Sequence, residues 1–254
     1  MTTLLQESEA FEVVSFPRPT FVDMRSFARD RHQGISVEAH PGDDRFLSCR
    51  RVLAWPAGAV TAGVIELKSG QGMVSFLPAD ECVIVHDGQL TLTQADTELT
   101  FGPGQAALIP RGASFSWTAR GSVSLIFTRY NRSQTGRGRI LRLQEAPELK
   151  PSGPPPLDLL TTPLPSCRNH TDYTSADGLF TCGTWDSTPY ERRPLFYKHL
   201  ELMHLLQGSV DFVDETGRRR TFSKGDIFLI ERGARCTWES REHVAKVYVI
   251  YQPK

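Results

Sequence analysis

The sequence lacks most of the short patterns that identify an enzyme class or a cofactor. It has no Gly-rich phosphate loop, no zinc-finger spacing and no nucleophile elbow. Its 5 cysteines never form a CxxC pair, which is typical of reduced thiols in a cytosolic protein. No apolar run approaches the roughly 20 residues of a membrane helix. The N-terminal stretch MTTLLQESEAFEVVSF is acidic, unlike a secretory signal. The sequence therefore predicts a cytoplasmic protein.

An excess of charge of either sign is also missing. Lys and Arg total 29, and so do Asp and Glu, so the formal net charge is zero. A neutral chain gives no electrostatic reason to expect nucleic acid or an anionic membrane as a partner. We therefore expect neither of these partners, and we expect a small-molecule ligand instead.

What the sequence does contain is one unit written twice, over residues 58–130 and 178–251. Four residues recur at a shift of 120 and seven more at a shift of 121, after one inserted residue. The first group is Gly58, Gly63, Glu81 and Gly88, which recur as Gly178, Gly183, Glu201 and Gly208. The second group is Phe101, Gly104, Ile109, Arg111, Gly112, Trp117 and Tyr130, which recur as Phe222, Gly225, Ile230, Arg232, Gly233, Trp238 and Tyr251. Chance does not keep so many glycines and aromatics in register, so we infer a tandem duplication.

Short β-rich runs punctuated by glycine, aspartate and proline dominate both copies. Examples are VIVHDGQLTLTQ and HLLQGSVDFV, and the closing run AKVYVIY of the second copy matches VSLIFTRY of the first. Few stretches show helical periodicity, although FVDMRSFARDR is a candidate for a short helix. Many short strands with regular turns predict an antiparallel barrel or jelly roll.

The predicted organisation has four parts. An N-terminal arm covers residues 1–45 and is expected to pack on one barrel or on a partner. A first domain covers 46–135, a linker 136–168 and a second domain 169–254. The linker is proline-rich between residues 151 and 165. Proline offers no donor to a sheet ladder and stiffens the chain, which favours a connection between two domains.

The repeated block has a recognisable order: Glu, six residues, Gly, a pair of strands, Gly followed by Asp or Gln, an apolar strand and Arg-Gly. In the second copy it reads ELMHLLQGSVDF and then FSKGDIFLIERGARCTW. This order resembles the cupin superfamily. It is most similar to small cupins of the ureidoglycine-aminohydrolase and ethanolamine-utilisation type, whose Trp, Lys and closing strand match Trp238, Lys246 and the last strand here. The resemblance implies an all-β protein of two tandem cupin (jelly-roll β-barrel) domains from an internal duplication, and a homodimer.

The resemblance also implies positions for a metal, because a typical metal cupin presents two His, a Glu and a further His. In the first copy these positions are Val74, Phe76, Glu81 and Phe115. One carboxylate does not hold a metal, so the first barrel is predicted to be a filled scaffold with Glu81 in a hydrogen bond. In the second copy the paired His positions fall near Pro194 and Phe196, which are not ligands.

Other residues of the second copy suggest an unorthodox metal site. Cys236 stands at the last His position, and His199 precedes Glu201 by two residues. Side chains two apart on a strand point to the same side. His199, Glu201 and Cys236 are therefore candidate ligands for one divalent transition metal, with Tyr197 on the same face. The alternative is no metal, with a His–Glu ion pair near a barrel mouth and a buried cysteine.

Lys246 has two interpretations. If it points into the barrel, it would bind a substrate carboxylate or act with Glu201 as a catalytic acid–base group. If it points outward, it is a solvated edge residue. The first copy has Leu125 at this position, so such chemistry would belong to the second barrel alone. The side chains predicted to contact a bound molecule are Tyr197, Met203, Trp238 and Glu81.

Two functions are compatible with these patterns. The first is a bicupin that binds a small polar metabolite in its second barrel, as an enzyme of nitrogenous or carboxylated metabolite turnover. The second is a metal-free ligand-binding or sensory cupin without catalysis. Geometry separates them: convergence of the three candidate ligands within about 4 Å of one point would support metal chemistry, because metal–ligand bonds are roughly 2.0–2.3 Å long.

Overall fold

The structure is a computed structural model that describes residues 20–38, 42–134 and 138–254. Most of the arm predicted over residues 1–45 lies outside the described residues. Strands dominate the rest, with two short α-helices and one 3-10 turn in the described ranges. None of the helices described there has the length and apolar character needed to cross a bilayer.

The elements of the N-terminal half and linker are β1 (Phe21–Asp23), α1 (Met24–Arg29), β2 (Ile35–Ser36), α2 (Arg45–Ser48), β3 (Arg50–Val52), β4 (Val60–Leu67), β5 (Gly70–Val74), β6 (Asp80–Asp87), β7 (Leu90–Gln94), β8 (Thr97–Phe101), β9 (Ala106–Ile109), β10 (Phe115–Ala119), β11 (Val123–Tyr130), β12 (Leu141–Arg142), β13 (Lys150–Pro151) and the 3-10 turn Leu157–Leu159. Those of the C-terminal half are β14 (Cys167–Thr174), β15 (Phe180–Ser187), β16 (Tyr190–Phe196), β17 (Leu200–Gln207), β18 (Ser209–Val213), β19 (Arg219–Ser223), β20 (Ile227–Ile230), β21 (Arg235–Ser240) and β22 (Val244–Tyr251).

Each copy forms one barrel from two antiparallel sheets. In the first barrel the orders are β12–β9–β6–β11–β4–β3–β2 and β5–β10–β7–β8. In the second they are β1–β20–β17–β22–β15–β14–β13 and β16–β21–β18–β19. Each strand of the first copy thus has a counterpart in the same place in the second. The all-β fold and the duplication predicted from the repeat are confirmed.

A third hydrophobic core lies between the two seven-stranded sheets, in addition to the core inside each barrel. It exists because successive side chains of a strand point to opposite faces. On β6, Val83 points into the first barrel and Ile84 into the shared core. On β17, Met203 points into the second barrel and Leu202 into the shared core. The seven-stranded sheets are therefore buried on both faces.

The N-terminal segment ties the two barrels together. β1 pairs with β20 of the second barrel, whereas β2 and β3 extend the sheet of the first. Between them lies the helix predicted in this segment, α1. It begins after Asp23, whose carboxylate caps it by accepting from the backbone N–H of Ser26 at 2.9 Å. Met24 and Phe27 on this helix are buried in the shared core.

The stretch predicted as a linker contributes strands to both barrels. β12 pairs with β9 of the first barrel, and β13 pairs with β14 of the second. Pro151 fits in β13 because this strand is at the sheet edge, where the missing N–H costs no ladder hydrogen bond. The strand next to β13 in this sheet is β14, which begins at Cys167.

At two tight turns, the backbone conformation explains why glycine recurs in both copies. Gly88 and Gly208 follow β6 and β17, and their φ angles are +82° and +76°. Glycine has no Cβ and adopts this left-handed region without steric cost.

Candidate functional site

Glu201 lies near the start of β17, with its side chain inside the second barrel. It is 6% exposed. The Nζ atom of Lys246 donates to its Oε1 at 2.7 Å, and Nε2 of His199 lies 3.3 Å from its Oε2. Burial raises the pKa of Glu201, but the charge of Lys246 and the hydrogen bonds outweigh burial and hold this pKa at about 2. Glu201 is therefore a carboxylate at neutral pH.

Lys246 points into the barrel rather than outward. Besides Glu201, its Nζ atom lies 3.2 Å from the sulfur of Met203. It also lies 4.8 Å and 5.3 Å from the ring centroids of Trp185 and Trp238. An ammonium over an indole face is attracted by the ring quadrupole. The cation is thus fixed by a carboxylate, a thioether and two aromatic rings.

Arg192 is a second buried cation of this barrel, and none of the sequence patterns singles it out. It is 3% exposed, on β16. Its Nη1 donates to the carbonyl of Cys236 at 2.8 Å, and its Nη2 donates to the Tyr197 hydroxyl at 3.0 Å. Among the described residues no carboxylate forms an ion pair with it. Strand alternation offered a signal, since Arg192 follows the buried Tyr190 by two residues.

The remaining predicted residues of the second barrel also lie in its interior. Tyr197, Met203 and Trp238 are buried in its core, and Trp238 stacks on Tyr190 with ring centroids 5.5 Å apart. Burial raises the pKa of Tyr197 well above its usual range. Burial also raises the pKa of the Cys236 thiol, to about 12, so this group stays protonated.

The three candidate metal ligands are not arranged as a metal site. The part of the chain that the structure describes has no group of three or more His, Cys, Asp and Glu that could hold a metal ion. The oxygens of Glu201 face Lys246 and His199, and both partners already occupy them. These residues do not fit a divalent metal. What the structure contains is a His–Glu pair and a separate buried cysteine.

The first barrel keeps the carboxylate but surrounds it with different cations. Glu81 is fully buried. Arg50 donates to both its oxygens, at 2.7 Å and 2.9 Å, and Arg129 donates to Oε2 at 2.5 Å. Burial raises the pKa of Glu81, but the charges of Arg129 and Arg50 outweigh burial and hold this pKa at about 2. Its carboxylate, predicted to contact a small molecule, is enclosed by protein cations instead.

The first barrel is filled by the segment that precedes it. Phe46 of α2 has no exposed surface and meets Phe115 edge-on, with centroids 5.3 Å apart. The guanidinium of Arg50 lies over Phe46 and Phe127. Phe115 is buried as predicted, but Phe76 is 47% exposed and fills nothing. The reason is that β5 ends at Val74, so strand alternation no longer places Phe76.

Comparisons with known proteins agree with the fold. The model of the EutQ-like cupin domain matches residues 174–248. A crystal structure from Pseudomonas syringae pv. tomato, of a DUF861-family protein of unknown function, is 30% identical with a TM-score of 0.77, over 86% of this chain and 91% of that one. The chain belongs to the cupin superfamily. At this identity and coverage it is also a member of the DUF861 family.

More distant structures share the fold of this cupin. A cupin 2 conserved barrel domain protein from Leptotrichia buccalis is 13% identical with a TM-score of 0.54, over 80% of this chain and 87% of that one. The salicylate 1,2-dioxygenase of Pseudaminobacter salicylatoxidans is 10% identical with a TM-score of 0.54, over 92% and 84% of the two chains. No protein with a curated function matches this cupin.

Proposed function

We propose that the second barrel of this cupin binds a small carboxylated metabolite without a metal. The observation that carries the proposal is the charge of the barrel interior. Lys246 is balanced by Glu201 at 2.7 Å. Arg192 is equally buried but has no carboxylate partner among the described residues. The interior therefore holds one positive charge that a bound anion would balance.

Burying an unpaired charge is costly, and a carboxylate of a ligand removes that cost. A guanidinium suits this role because its planar fork matches the two oxygens of a carboxylate. The Tyr197 hydroxyl, already within 3.0 Å of Nη2, offers a further hydrogen bond to an anion. Trp238 stacks on Tyr190 and lies 5.3 Å from the Lys246 ammonium, so it holds this cation beside Glu201 and leaves the charge of Arg192 for a ligand.

The ligand would enter past His199. The side chain of His199 is 22% exposed, whereas those of Glu201 and Lys246 are 7% and 8% exposed. His199 also contacts Tyr197, with ring centroids 5.3 Å apart. A displacement of the imidazole would therefore open a path to the interior.

The proposal is tested by calorimetric titration of small carboxylic acids, each paired with its primary amide. We expect acids to bind and amides to bind at least about 10-fold more weakly, since a hydrogen bond to a charged group contributes roughly 1.5–3 kcal/mol. Arg192→Met should abolish the preference for the acid. Arg241→Met is the matched control, because Arg241 is exposed on the same barrel. Equal binding of acid and amide, or full binding by Arg192→Met, would refute the proposal.

A second candidate function is proton transfer on the bound metabolite. It is favoured by the contact of 3.3 Å between Nε2 of His199 and Oε2 of Glu201, since a carboxylate that holds an imidazole fixes its tautomer for acid–base catalysis. For an enzyme, we expect His199→Gln to abolish turnover while ligand affinity changes less than about 3-fold. If the bound carboxylates are never converted, the barrel is a binding or sensory module.

A further inference from the structure

We propose a second anion-binding site, outside both barrels, for a tetrahedral oxyanion such as free phosphate or a phosphate ester. It is the groove between α1 and the rim of the first barrel, here called the α1 groove. Its volume is about 420 Å³. The residues that line it are Arg25, Ala28, Arg29, Arg31, Glu66, His86, Asp87 and Ser124.

The arginines that line the α1 groove outnumber the carboxylates that line it. Arg31 is paired with Glu66 at 3.3 Å. Arg25 and Arg29 lie one helical turn apart on α1, and neither forms an ion pair with a carboxylate among the described residues. Like charges at this spacing repel and destabilise a helix. The lining holds three arginines and two acids, Glu66 and Asp87, while the charges of Asp226 and Asp23 act on Arg25 from outside the lining. A bound anion would balance the additional cation of the lining.

His86 lines the groove beside Arg25. Its Nδ1 lies 3.1 Å from Nη1 of Arg25. A guanidinium only donates, so Nδ1 accepts and the ring proton is on Nε2. Burial and the charges of Arg25 and Arg29 lower the pKa of His86, which favours this neutral tautomer.

Ser124 provides an independent observation. Its hydroxyl is buried against the groove and has no hydrogen-bond partner among the described residues. Most buried hydroxyls have a hydrogen-bond partner, so the free hydroxyl of Ser124 can still donate to a molecule in the groove. Two unpaired guanidinium groups and a hydroxyl together match the oxygens of a tetrahedral anion.

The site would also join the two barrels. Nε of Arg25 donates to the carbonyl of Gly225 in the second barrel at 2.5 Å, while Nη1 contacts His86 of the first. An anion on this guanidinium would hold α1 and both barrels together. The site uses none of the residues of the second barrel interior, so it is independent of the function proposed above.

Titration of the full chain with inorganic phosphate, at constant chloride concentration, tests this proposal. We expect saturable binding of one equivalent. Arg29→Gln should weaken it at least about 10-fold, which corresponds to the loss of one charge-assisted contact. Arg29 is exposed and makes no hydrogen bond among the described residues, so its replacement leaves folding intact. Ser124→Ala should weaken binding by a smaller factor.

The controls and outcomes are as follows. Arg241→Gln, exposed on the far barrel, should bind phosphate like the parent protein. Arg192→Met should also bind normally, which separates this site from the barrel interior. Tighter binding of phenyl phosphate than of inorganic phosphate would indicate a phosphate ester as ligand, and the reverse would indicate free phosphate. Absence of saturable binding, or unchanged affinity in Arg29→Gln, would refute the proposal.

Discussion

Lys246 pairs across the sheet with Leu205, yet its ammonium contacts Glu201, which lies four residues away from Leu205 on β17. The lysine side chain therefore runs along the neighbouring strand, past the sulfur of Met203. In the first barrel Leu125 replaces this lysine, and the cations beside the equivalent carboxylate come from β3 and β11. The two barrels thus share a buried glutamate at the equivalent position, but different basic residues neutralise its charge.

Replacing Lys246 with leucine should destabilise the protein strongly, because it leaves Glu201 buried without its cation. Removing one partner of a buried ion pair costs about 3–5 kcal/mol. Adding Glu201→Gln to this variant should recover most of the loss. Urea denaturation measures both variants, and a single variant as stable as the parent would contradict the ion pair.

Acid should weaken the fold through the two buried glutamates. The pKa of Glu81 and that of Glu201 are both lowered from 4.5 to about 2 in the folded state. The unfolded state therefore binds more protons in this range, so the stabilisation is complete above pH 4.5 and is lost as pH falls toward 2. The free energy of unfolding of Glu201→Gln, measured between pH 6 and 2, should fall less steeply than that of the parent. An identical slope would show that Glu201 titrates normally.

The filling of the first barrel by Phe46 of α2 can be tested with a matched pair of variants. Phe46→Ala should cost about 3–5 kcal/mol, since it empties a fully buried aromatic site between Phe115 and Arg50. Phe76→Ala removes an exposed ring and should change the free energy of unfolding by no more than about 0.5 kcal/mol. Similar losses in both variants would show that α2 does not fill the barrel.

Gly104 and Gly225 occupy equivalent turns and separate two costs of adding a Cβ atom. Both have positive φ, at +86° and +91°, so alanine at either position is strained by about 1 kcal/mol. A Cβ on Gly104 would also lie 3.3 Å from Cε1 of His204, whereas one on Gly225 meets nothing within 4 Å. Thermal unfolding should therefore show a larger loss for Gly104→Ala. Equal losses would indicate that the imidazole moves away freely.

Much of this architecture was predictable because it depends on local periodicity. The repeat specified two equivalent barrels, and Glu201 and Met203, both predicted to contact a bound molecule or metal in the second barrel, lie inside it. His199 contacts Glu201 as predicted, although it lies in a bend just before β17 rather than on the strand.

The rest depends on which strands become neighbours, which a single sequence does not reveal. Arg50 and Arg129 reach Glu81 from positions 31 and 48 residues away. Arg192 gains its environment from β21 through a pairing that is interrupted by a bulge. Cys236 was a candidate ligand because it stands at the last His position of the repeat, but the described residues contain no group of three His, Cys, Asp or Glu around it that could hold a metal ion. Homodimerisation stays a prediction.

The shared core has a consequence for the history of this chain. A solitary half would expose to water the apolar sheet face that now carries Ile84 in one copy and Leu202 in the other. Each half thus covers the apolar sheet face of the other, and α1 packs against both. Mutations that fill the interior of one barrel are tolerated as long as its outer sheet face stays apolar. Selection can therefore retain a first barrel without a pocket, because this barrel stabilises the fold of the second.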